Sequence, residues 1–246
     1  MNMPRIARAI LLAGSAMLFA WPASAEPRAV LELFTSQGCS SCPAADKLLG
    51  ELAHDSSLVV ISVPIDYWDY LGWKDTLALP GHAGRQSGYA RVRGDRQVYT
   101  PQMVVNGAVH ALGSDKAAIE RAIAQSKGTG EAVSLPVSVS QADGKLTVRV
   151  PAWKNGTAQG EVWLCPVTKA VPVSIGRGEN RGRTVTYFNV VRGWTKLGDW
   201  TGAAGEWSVP LKDVEREGAD TVAIIIQRGE LKSPGVMIGA NIVALR

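Results

Sequence analysis

The sequence predicts an α/β domain followed by an all-β domain. Three observations carry this prediction. A cysteine pair, "GCSSCPAAD" (Gly38 to Asp46), stands between an apolar strand and a helical stripe; strand and helix patterns alternate up to about residue 126; and from "SKGTG" (Ser126 to Gly130) onward short β-rich runs follow one another with turn residues between them. The expected organisation is residues 1–25 as a signal peptide, 26–130 as the α/β domain and 131–246 as a β-sandwich.

The leader is read from charge and apolarity. Arg5 and Arg8 precede the apolar run "AILLAGSAMLFAW", and Ala23-Ser24-Ala25 forms an A-x-A cleavage site. The run is short for a membrane span, so it reads as a removable export signal with Glu26 as the first mature residue, and no span remains after cleavage. Export, to the periplasm in a Gram-negative source, puts the thiols in oxidising surroundings. The formal charge of +4 falls by two when Arg5 and Arg8 leave, and no basic block or aromatic-basic interleaving remains to track nucleic acid.

In the first domain, "AVLELFT" (Ala29 to Thr35) is a buried strand. Ala45, Leu48, Leu49 and Leu52 form the stripe of a helix after the cysteines, and "LVVISVPID" (Leu58 to Asp66) is a second strand that closes a right-handed βαβ unit. A helix around "GRQSGYARV" leads to Thr100-Pro101 and the strand "MVVN". Asn106-Gly107 turns into "AVHAL", because both turn residues tolerate positive φ, and a last helix carries Ile119, Ala122 and Ile123 on one face.

The helix start gives the cysteines their chemistry. Unpaired N–H groups and the positive end of the dipole favour a thiolate there, and Pro43 fits because early helical N–H groups have no partner to lose. Cys39 is expected at that end and more exposed, with Cys42 one turn in and able to close the disulfide. Glu32 in the first strand is either a buried proton relay for Cys42 or an acid paired to Arg or Lys. "DYWDYLGWKD" (Asp66 to Asp75) follows the second strand, at the sheet end that binds ligands in open α/β folds. Asp66, Trp68, Tyr70 and Trp73 are therefore candidates for contact with a partner, the alternative being that the aromatics pack an interface or cover an edge.

The order strand, CxxC helix, strand, helix, Thr-Pro, hairpin, helix resembles the thioredoxin fold over about Ala29 to Ser126. Together "ELFTSQGCSSCPAAD", "DYWDYLGWKD" and "YTPQMVVNG" are similar to a family of secreted bacterial thioredoxin-like proteins classed as a domain of unknown function. The resemblance implies a cis bond at Thr100-Pro101 beside the cysteines, with both residues presenting backbone to an extended substrate segment. It also implies that Cys39 attacks and Cys42 resolves, through a mixed disulfide with a thiol- or disulfide-bearing protein. Two departures stand out: Gly38 occupies the place of an aromatic residue, and Leu33, beside Glu32, occupies that of a buried acid.

The function expected is thus thiol-disulfide exchange, an oxidoreductase with no cofactor and no resident metal. The alternatives are soft-metal (copper) binding or delivery, and a non-catalytic binding module with a structural disulfide. His54, His82 and His110 are the available histidines, of which His82 is placed in a loop, and the two-residue cysteine spacer is the redox spacing.

The second domain shows about seven candidate strands: "AVSLPVSVS", "KLTVRVP", "GEVWLCPV", "RTVTYFNVV", "EWSVPL", "TVAIIIQ" and "VMIGANIVAL". That count and spacing suit an immunoglobulin-like sandwich. Cys165 lies in an apolar strand and reads as buried and inert, and "GRGENRGR" (Gly176 to Arg183) as a solvated loop.

Overall fold

A computed structural model describes residues 26–154 and 158–246; the leader expected over residues 1–25 lies outside the described residues. The first half runs β1 (Ala29–Thr35), α1 (Cys42–Leu52), β2 (Leu58–Pro64), α2 (His82–Arg93), β3 (Gln102–Val105), β4 (Val109–Leu112) and α3 (Lys116–Ser126). β1 pairs in parallel with β2 from Ala29↔Leu58 to Thr35↔Pro64, and antiparallel with β3. The β3–β4 hairpin turns on Asn106 (φ 51°) and Gly107 (φ 69°), the doubly positive turn that Asn-Gly favours. Asp115 caps α3 by accepting from the Ala118 N–H at 2.9 Å.

The second half supplies β5 (Ser138–Ala142), β6 (Lys145–Val150), β7 (Gly160–Ser174), β8 (Thr184–Val191), β9 (Thr195–Trp200), β10 (Gly205–Pro210), a short α4 (Leu211–Val214), β11 (Thr221–Glu230) and β12 (Ser233–Ala244). These strands do not form a separate sandwich. The larger sheet runs β12-β11-β7-β8-β2-β1-β3-β4, with β9 also on β7, so one sheet passes through both halves. The seam is the parallel contact of β2 with β8 at Ser62↔Val190, where Asn189 reaches across to donate to the Val60 carbonyl at 2.9 Å. The smaller sheet, β10-β6-β5, packs on the larger through Leu146, Val148, Val162, Leu164, Ile224 and Ile226. The molecule is a mixed α/β protein with a large sheet and few helices.

Alternation along β1 sorts the two faces. Leu31 and Leu33 pack with Ala45, Leu48 and Leu49 of α1 and with Ile119 and Ile123 of α3. Val30 and Phe34 face the other way, into a core shared with Tyr89 of α2 and with Trp163, Cys165, Val167, Ala223 and Ile225 of the second half. That core is continuous across the seam, and burying it is what joins the halves.

Candidate functional site: the Cys39–Cys42 turn

Cys39 and Cys42 are disulfide-bonded, with Cα atoms 5.4 Å apart. The turn that carries them leaves β1 at Ser36 and is closed by backbone bonds from Cys39 N–H to the Ser36 carbonyl (3.1 Å) and from Cys42 N–H to the Cys39 carbonyl (3.2 Å). Helix α1 starts at Cys42 itself, with Ser41 as N-cap and Pro43 in the first turn. Cys42 is therefore the first helical residue and Cys39 lies ahead of the helix, which corrects the placement read from the sequence. Cys39 is the more exposed of the two, but by little: it is 4% exposed and Cys42 fully buried, whereas Ser40 and Ser41 between them are exposed.

Several elements pack onto this turn. Gly38 permits the closest of these approaches, because a Cβ there would lie 2.9 Å from the Cβ of Trp68. Trp68 in turn donates from Nε1 to Thr100 Oγ1 at 2.8 Å, and the Thr100-Pro101 peptide is cis. Gly113 accepts Pro101 and Ala45 on the same side, since its added Cβ would meet the Pro101 Cβ at 3.1 Å and the Ala45 Cβ at 3.3 Å. Gln37 is held by an N–H bond to Asp75 Oδ2 (2.8 Å), and its Oε1 accepts from Trp73 Nε1 (2.8 Å). Trp68 and Trp73 are thus half-buried packing residues bonded to the turn, while Tyr70, 76% exposed, stacks on Trp68, and Asp66 is exposed without a side-chain contact to the turn.

The second half reaches the same turn. The tip of the β7–β8 hairpin lies against it, and Asn180 donates from Nδ2 to the carbonyls of Gln37 (3.0 Å) and Cys39 (2.8 Å). Glu179 Oε2 accepts from the Ser40 N–H at 3.2 Å. Asn180 is 1% exposed, so the segment read as a solvated loop carries a buried residue of the site. A sequence signal exists only in hindsight: an amide flanked by charged residues and glycines, with nothing to say where it docks.

Glu32 is not brought to the cysteines. It lies on the face of β1 opposite α1, where it accepts from Arg85 Nε at 2.9 Å and makes a short hydrogen bond with the Tyr89 hydroxyl. Arg85 also donates to Gln227 Oε1 at 2.8 Å and lies over the Trp194 ring at 4.3 Å, so the acid is a paired one. The buried carboxyl on the cysteine side is Asp46, four residues beyond Cys42 and so on the same helix face. Oδ2 accepts from Thr35 Oγ1 at 3.1 Å, and burial pushes its pKa well above the usual carboxylate range.

The histidines and the third cysteine are engaged elsewhere. His82 opens α2, buried, with Nδ1 on the Pro64 carbonyl at 2.8 Å and Nε2 accepting from Trp194 Nε1 at 3.1 Å. His110 pairs with Tyr99 and Asp95, and His54 is exposed at the end of the first helix. Among the described residues no group of three His, Cys, Asp or Glu side chains stands close enough to hold a metal ion. Cys165 is fully buried on the Glu32 side of the sheet, where burial raises its thiol pKa.

Fold and site together define a mixed α/β protein with a CxxC disulfide at the head of a helix, its turn hydrogen-bonded by a hairpin from the other half of the chain. The chain belongs to the family described as proteins of unknown function (DUF1223), which matches residues 30–227. It is similar to a protein of Agrobacterium tumefaciens solved by X-ray crystallography, at 31% identity over 90% of this chain and 96% of that one, with a TM-score of 0.79. The fold, at 14% identity and a TM-score of 0.58, is also that of HBP35 of Porphyromonas gingivalis, over 91% of this chain and 77% of that one. No curated protein matches the sequence. Among the described residues no helix is long and apolar enough to cross a membrane.

Proposed function

We propose that the chain is an exported thioredoxin-like protein whose Cys39–Cys42 pair exchanges with the thiols or disulfides of a protein partner. The observation that carries this reading is the pair itself: bonded, at the turn from β1 into α1, and tied through Gly38, Trp68 and Thr100 to a cis-proline at the start of a hairpin strand. A partner thiolate attacks the Cys39 sulfur and breaks its bond to Cys42, whose sulfur leaves as thiolate. A second partner thiol then attacks the Cys39 mixed disulfide, and the partner departs oxidised while the pair keeps two electrons; the reverse sequence oxidises the pair. Cys42, at the positive end of α1, leaves readily as a thiolate, and Asp46 on the same helix face is the carboxyl best placed to give it a proton.

The test is trapping. Cys42→Ser leaves Cys39 without its resolving partner, so mixed disulfides through Cys39 accumulate in extracts, whereas Cys39→Ser traps far fewer. Equal trapping by both variants, or by neither, ends the exchange reading. The burial of both sulfurs favours a second reading, a structural staple. The disulfide reduction potential separates the two: a staple lies below about −300 mV and an exchanging pair well above it.

A further inference from the structure

The backbone of the cysteine turn is bonded by a segment from more than about a hundred residues downstream, a contact that the chemistry of exchange does not need. Cys39 must be reached along the line of its S–S bond, yet it is 4% exposed. The hairpin tip lies on its backbone: Asn180 spans the Gln37 and Cys39 carbonyls, and Glu179 takes the Ser40 N–H. The tip is itself a built turn. Ile175 is buried and donates to the Arg183 carbonyl at 2.9 Å, Gly182 returns a bond to the Ile175 carbonyl at 2.8 Å, and Arg183 Nη1 donates to Asn180 Oδ1 at 3.3 Å. Gly176 and Gly178 admit Trp73, which would come within 3.2 and 3.3 Å of a Cβ at those positions.

We propose that this tip is a strap over the Cys39–Cys42 pair, that Asn180 is the positioning residue that holds it shut, and that a protein partner gains Cys39 only by lifting it. The inference rests on the pair being an exchange site and adds how access to it is controlled. The anchoring is of a strength suited to opening. Two amide-to-carbonyl bonds from one side chain contribute modestly to net stability, enough to keep the strap closed most of the time and little enough for a binding partner to displace it. Asn180 also fixes the turn, because the Cys39 carbonyl that it holds is the one receiving the Cys42 N–H.

The full-length protein, reduced with dithiothreitol, is alkylated with N-ethylmaleimide or with a polyethylene-glycol maleimide, and the rates at Cys39 and Cys165 are followed by mass spectrometry. In the natural protein the bulky reagent is expected to lag the small one at Cys39. Asn180→Ala, and Asn180→Asp, which keeps the shape but cannot donate, raise the bulky-to-small ratio about tenfold, with Cys165 still unlabelled. Glu179 is exposed, so Glu179→Ala keeps the fold and raises the ratio about twofold. An unchanged ratio in all three variants overturns the strap, as does a rise shared by Cys165, which reports global unfolding. Alkylation does not require turnover, so a strap that opens on a pair with a staple's potential refutes only the exchange reading.

Discussion

His82 is buried against Pro64, Arg85 and Trp194, and desolvation lowers its pKa to about 4. The nearby Arg85 charge pushes the same way, against the Pro64 hydrogen bond. A folded-state value below the unfolded 6.5 means that the neutral ring stabilises the fold at pH above 6.5, and that this contribution is lost as pH falls through about 4. The loss amounts to about 3 kcal/mol, and His82→Gln should flatten that limb of stability between pH 6.5 and 4. Urea midpoints measured across that range check it; an undiminished acid limb in the variant would assign it to other groups. The sequence could show that Glu32 stands in an apolar strand, but not which partner it has. Arg85 is 53 residues away and reaches it only because α2 crosses the far face of β1. The buried acid on the cysteine side, Asp46, was legible in principle, since it lies four residues after Cys42, but a helix of that length offers exposed faces as well.

Elements with a strong local signature were legible at nearly the right bounds. β1 falls on Ala29–Thr35 as its apolar run predicts, and the Asn-Gly hairpin is where the turn residues put it. β9, "TKLGDW", escaped because its burial is irregular and it owes its existence to pairing with β7. β7 was read short for a related reason: its last residues are mostly exposed and hold their strand form by pairing with β8 out to Ser174↔Thr184. The start of α1 is the element on which the site depends, and Gly38 sets how closely Trp68 can approach it. Gly38→Ala puts a methyl 2.9 Å from the Trp68 Cβ, on backbone that cannot give way cheaply. We expect a loss of about 1–3 kcal/mol in chemical denaturation, together with faster bulky labelling at Cys39 as Trp68 is pushed off the turn. A neutral result would mean that the turn relaxes freely.

At the scale of the whole molecule the halves share a sheet and a core, which no local pattern encodes. The β2–β8 seam joins residues more than about a hundred positions apart, so its register follows from tertiary packing rather than from propensity. A fragment of residues 26–130 would lose the β8 partner of β2 and the Gln227 acceptor of Arg85, and would expose the Val30 and Phe34 face. The intact chain should therefore unfold in one transition by circular dichroism and tryptophan fluorescence alike, with no cooperative transition in the fragment. A fragment that melts as sharply as the intact chain would show that the first half folds alone. The position of Cys165 has a consequence for biogenesis. Three thiols allow three pairings, and only one of them makes the site. Cys39 and Cys42 leave the ribosome before Cys165, and their ring closes over three residues instead of more than about a hundred. Once the sheet forms, Cys165 is sealed on its other side. The order of synthesis and the geometry of the finished fold thus favour the same bond in succession.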